Sequence, residues 1–169
     1  GIYTVEYEKK EAEQHIDWNT SNIDFEGRGA DRGLRGICFN EEDIYIAASD
    51  ELFCYDKNFK NKGSIKNRYL KHAHEICRME NRIFLTSTGF DSLLSFNLEA
   101  KQFDWGFQLR KEYDQWTGGL FDPRKSIGPR PVNDFHINMI DVSEDGIFFS
   151  GLRTEGLFLL KVDNTVAKV

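Results

Sequence analysis

Cysteine is scarce in this chain: Cys38, Cys54 and Cys77 among 169 residues, an odd count with no CxxC spacing. That rules out both a disulfide framework and a zinc ribbon. Each of the three sits in an apolar run, where a thiol packs as a small hydrophobe and points to a reducing, cytoplasmic compartment. Basic excess is absent too. The 22 Lys+Arg stand against 28 Asp+Glu, a net charge of −6, which disfavours a nucleic-acid partner needing phosphate neutralisation. No run approaches the roughly 18 apolar residues of a membrane helix, so no membrane partner is expected. The opening Gly1-Ile2-Tyr3-Thr4-Val5-Glu6 lacks the basic flank and apolar stretch of a signal peptide, and without an initial Met the chain is expected to be a trimmed piece. With no secretory signal, the sequon Asn19-Thr20-Ser21 reads as a chance triplet. Alanine is sparse beside Ile, Phe, Leu and Val, and the 14 % aromatic content, 14 Phe included, supplies a core that a disordered acidic chain would not have.

What is present is a repeat. Three segments share one apolar pattern: Arg35-Gly36-Ile37 through Ala47, His74-Glu75-Ile76 through Thr86, and Asn138-Met139-Ile140 through Ser150. In each an Ile precedes a second Ile by seven positions (37 and 44, 76 and 83, 140 and 147), with a polar turn between. A third strand follows at Leu52–Asp56, Leu93–Asn97 and Leu157–Lys161, and a fourth at Gly63–Lys66, Lys101–Asp104 and Thr165–Lys168. Each unit is three or four short antiparallel strands. The first step, Ile37 to Ile76, is 39 residues, the length of a propeller blade; the second is 64, which leaves 25 extra residues between about Trp105 and Asp134. A β-sandwich would give short strands without making the units alike.

The stretch HEIC…NRIFLTSTGFDSLLSFNLEAKQF resembles blades of NHL-, LVIVD- and WD-like propellers. More narrowly, GLRGIC, HAHEIC and DFHINMI are similar to bacterial six-bladed propellers grouped as a domain of unknown function. The resemblance runs from about residue 30 to 169 and implies an all-β propeller; it is poor for chemistry, because propellers host many functions. The expected order is N-terminal strands or a partial blade at 1–31, blades at 32–70 and 71–104, an insertion loop at 105–134 and a blade at 135–169. Three blades cannot close a ring, since the end sheets would leave apolar faces in water. Either the chain is a fragment, or another chain completes the ring, or residues 1–31 make a fourth blade. Two copies would give six blades, and assembly or truncation is expected over a compact four-bladed monomer.

Aligned on the Ile positions, Arg35, His74 and Asn138 share one column and Gly33, His72 and His136 another. First strands of propeller blades line the channel, and residues two apart share a face, so Arg35, His72, His74, His136 and Asn138 should gather at one channel mouth. Two readings follow. The five hold a small polar ligand, or a divalent metal through His72, His74 and His136; or they form a wet polar network joining blade to blade. The 25 extra residues hold two of the three Trp and all three Pro. There Tyr113, Trp116, Arg124 and Arg130 could stack on and hydrogen-bond a sugar or an anionic group, or the segment could be a lid. Asp141-Val142-Ser143-Glu144-Asp145-Gly146 starts like a calcium loop, but Leu152 stands where its bidentate Glu belongs. Gly27-Arg28-Gly29-Ala30-Asp31 has neither a Walker lysine nor the dinucleotide register, and there is no Gly-x-Ser-x-Gly elbow. The expectation is a module that binds a small polar ligand or a protein partner at the channel mouth. The alternative is a metal-dependent propeller enzyme, lactonase- or lyase-like, although a lactonase-like calcium site would be built of Glu, Asn and Asp.

Overall fold

A computed structural model describes residues 1–17 and 34–169. Gly33, the sequon and the Gly27–Asp31 stretch lie outside the described residues. Four antiparallel sheets follow one another along the chain. A hairpin of β1 (Ile2–Glu6) and β2 (Glu11–Ile16) comes first. The first full sheet is β3 (Leu34–Phe39), β4 (Asp43–Ala48), β5 (Glu51–Asp56) and β6 (Asn61–Lys66). The second has five strands: β7 (Ile76–Met79), β8 (Arg82–Ser87), β9 (Ser92–Asn97), β10 (Gln102–Glu112) and β11 (Gln115–Phe121). The third is β12 (Ile137–Ser143), β13 (Gly146–Gly151), β14 (Phe158–Leu160) and β15 (Val166–Lys168). Each full sheet pairs its strands in chain order.

The register bears out the repeat. Ile37, Ile76 and Ile140 pair with Ile46, Leu85 and Phe149, and Cys38, Cys77 and Asp141 pair with Tyr45, Phe84 and Phe148. The sheets therefore match position by position, each with one face turned backward along the chain and one turned forward. Cys38, Tyr45, Ala47 and Leu52 face the second sheet and pack with its Ile83, Leu85, Leu94, Phe96 and Phe103. One repeat on, Phe84 and Leu93 pack with Ile147, Phe149, Phe158 and Leu160 of the third sheet. On the third sheet the same forward-facing positions hold Phe148, Leu157 and Leu159, which no sheet among the described residues covers and which are only half-buried. At the other end, Ile16 and Ile2 of the hairpin cover Ile44, Ile46, Phe53 and Tyr55 of the first sheet. His15, the histidine outside the columns, stacks on Phe59 with ring centroids 4.3 Å apart and lies 2.7 Å from the Thr4 hydroxyl.

One expectation needs correcting. The stretch 105–134 is not a loop throughout: β10 runs on to Glu112 and turns through Tyr113 and Asp114, and β11 returns as a fifth strand. Both turn residues have positive φ, 48° and 65°, the backbone of a tight hairpin turn that matches strand twist. Only 122–136 is irregular. The cysteines are free, as expected; burial pushes the Cys38 thiol up to about 12. No described helix is long and apolar enough to cross a membrane.

Candidate functional site

The first strands of the three full sheets, β3, β7 and β12, lie side by side, and the segments leading into β7 and β12 are fastened to the sheet before them. The fastening repeats. After β4, Asp50 Oδ1 accepts the backbone N–H of His72 at 3.2 Å. After β8, Asp91 takes three: Asp134 and Phe135 donate to Oδ2 at 2.6 and 3.1 Å, and His136 donates to Oδ1 at 2.9 Å. His72 and His136 both have left-handed backbone, φ 56° and 55°. They are structural equivalents, as the alignment expected. Glu155 holds the third place in this series, two residues before Leu157 as Asp50 precedes Leu52 and Asp91 precedes Leu93; its φ is 55° and its side chain is exposed.

This backbone rearranges the columns. His72 and His136 are not in strands, so simple alternation does not aim them. His74 precedes β7, with its N–H and that of Glu75 donating to Thr86 Oγ1 at 3.1 Å each. Its carbonyl accepts Gly36 N–H at 2.7 Å. Position 36 must be glycine, because a Cβ there would stand 2.6 Å from Ile76 N. The His136 ring then meets His74 edge-on across columns, centroids 5.4 Å apart. His136 Nδ1 lies 3.2 Å from Asn133 Oδ1, an oxygen able to accept from a protonated Nδ1. Burial, then the charges of Arg35, His136 and His72, push His74 down to about 4. His74 is therefore neutral at pH 7, with cationic or potentially cationic groups around it. Asn138 is half-buried at the irregular head of β12, and Arg35 is exposed at the head of β3.

Arg35, His72, His74 and His136 are thus brought into one neighbourhood. A metal-holding set is not formed: among the described residues no three His, Cys, Asp or Glu converge for an ion. The left-handed backbone at His72 and His136 breaks the alternation that would have aimed all three rings at one point. The second group separates. Tyr113 is fully exposed at the β10–β11 turn. Trp116 packs edge-on against Phe135 and Phe158, centroids 5.0 and 4.7 Å away, with Lys111 Nζ 5.3 Å from its own ring. Arg130 lines a groove of about 530 Å³ with Gln108, Lys111 and Phe135. Arg124 is elsewhere, held by Asp122 through Nε at 2.8 Å and Nη2 at 2.9 Å. Sequence reasoning missed Asp50 and Asp91, which position the histidines.

No family model matches the chain, and no curated protein does. Solved structures do resemble it. Myxococcus xanthus glutaminyl cyclase aligns over 78 % of this chain and 49 % of its own, with TM-score 0.48 and 12 % identity. Virginiamycin B lyase from Staphylococcus aureus aligns over 82 % and 55 %, with TM-score 0.47 and 8 % identity. The Neurospora crassa Pan2 WD40 domain aligns over 80 % and 51 %, with TM-score 0.40 and 11 % identity. The chain spans about half the length of these structures. Its successive antiparallel sheets, paired in chain order, resemble the blades of a partial β-propeller. His72 and His74 lie on the segment leading into β7, and His136 on the one leading into β12.

Proposed function

We propose that these blades form a ligand-binding module, with a small anionic molecule held at the mouth by Arg35, His74 and His136. The observation that carries this is the edge contact of His74 with His136 beside the Arg35 charge. A neutral imidazole offers one donor and one acceptor, and the guanidinium presents a fork that fits a carboxylate or phosphate. A short dicarboxylate, succinate, serves as probe in titration calorimetry. Binding should weaken at least tenfold in R35Q and in H136A, and should strengthen as pH falls from 7 toward 5, because a bound anion favours His74 protonation. Succinate that fails to saturate, or binds R35Q unchanged, overturns the reading.

A second copy covers the outer face of the third blade. Phe148, Leu157 and Leu159 continue the forward-facing columns that are buried between the first and second and between the second and third blades. Light scattering should give at least twice the 19.6 kDa of one chain; a folded monomer at all concentrations would exclude the pairing.

A further inference from the structure

The geometry points to a second binding site, in the cleft between the second and third blades, for a small aromatic acid. The cleft measures about 420 Å³, within the range of small-molecule sites. It lies at the opposite strand ends from the histidines: the register pairs Arg82 with Met79, the end of β7 far from His74, and Gly146 with Ser143, the end of β12 far from His136.

The cleft exists because of what the repeat leaves out. Between the first two blades, Tyr45 meets Phe96 at 6.3 Å, and Phe96 meets Phe103 at 5.3 Å, so three rings close the space. One repeat on, Phe84 takes the place of Tyr45, but the register puts Leu160 at the position of Phe96 and Val166 at that of Phe103. Two rings are missing. Phe84 and Trp105, edge-on at 6.2 Å, form one apolar wall and Ile147 with Leu160 the other. A planar ring has aromatic and aliphatic surfaces to lie between.

The rim selects charge. A bulge in β10 between Phe103 and Trp105 brings Asp104 to Arg82, which donates to it from Nη1 at 2.6 Å and Nη2 at 3.0 Å. With Arg124 and Lys161, three cations line the cleft against the single carboxylate of Asp104, in a chain of net charge −6. Arg82 is engaged by Asp104 and Arg124 by Asp122, whereas Lys161 forms no ion pair among the described residues. Its turn is fixed by Asp163, whose Oδ1 accepts the N–H and hydroxyl of Thr165 at 2.9 and 2.6 Å. A carboxylate on a ring seated against Trp105 would pair with that amine.

The test follows the Trp105 indole N–H by NMR, with its signal identified through W105F, while indole-3-acetate is added. Indole-3-ethanol carries the ring without the charge, and acetate the charge without the ring. Indole-3-acetate should shift the Trp105 signal saturably, with indole-3-ethanol at least about tenfold weaker and acetate without effect. L160F restores one missing ring and should abolish the shift without lowering Tm; K161M should weaken binding while leaving the fold intact. Failure to saturate at millimolar concentration, equal binding of the alcohol, or unchanged binding in L160F or K161M would each overturn the site. Succinate titrates the mouth at the other end, so the two proposals fail separately.

Discussion

The two seams between the full blades are built from the same repeat positions and held by different means. The first is closed by Tyr45 against Phe96 and Phe103, while its lead-in segment gives the half-buried Asp50 one backbone N–H, that of His72, beside the Ala73 N–H bond to the Ser49 carbonyl at 2.7 Å. The second has Leu160 and Val166 in place of two of those rings, but Asp91 beneath it is wholly buried and takes three backbone N–H groups. Both seams bury rings, Phe107 against Phe149 and Phe149 against Phe158 in the second, and the second adds the buried polar clamp of Asp91. Asp91 is held against its burial: desolvation raises its carboxyl, and the N–H donors that favour the charged form offset part of that rise.

Removing one device from each seam should expose this difference most clearly. F96A should destabilise the chain by about 3–4 kcal/mol in urea unfolding, the range for a buried Phe truncation. D91A strands three buried donors and should cost about 2–3 kcal/mol, with D91N costing less because it keeps an acceptor. If D91A unfolds no more easily than wild type, the second seam is not held by its acidic turn. Third comes pH. The folded pKa of His74, about 4, lies below its ordinary 6.5, so the unfolded chain binds the proton more tightly. Stability should therefore fall as pH drops from about 6.5 to 4, by about 1 kcal/mol once solvent screening at this half-buried ring is allowed for. H74N should remove that slope. Smallest is D50A, about 0.5–1 kcal/mol for one partly exposed bond.

Much of the fold was legible because strand pairing writes itself into spacing: Ile37, Ile76 and Ile140 occupy equivalent rungs in the structure as in the alignment. The fourth strands were legible for the same reason. The β10–β11 hairpin was not, because Tyr113-Asp114 carries none of the glycine that usually marks a turn with positive φ. At the candidate site, the His72 and His136 equivalence could be read from sequence but the direction of their rings could not. Left-handed backbone at a histidine depends on an aspartate more than twenty residues earlier in the chain. Asp50, Asp91 and Glu155 form a column of their own, hidden by unequal turn lengths. The cleft was invisible for another reason: it depends on small residues facing large ones across a seam.

The acidic turns also give the molecule a direction. Each reaches only forward, from one blade to the segment that leads into the next, and Glu155 stands at the end of that series. A copy docked there, as proposed above, would meet this forward face with a different surface, so the contact would be heterologous rather than self-complementary. Such a contact closes into a ring only if the rotation per copy divides a full turn; otherwise copies add without limit into a helical filament.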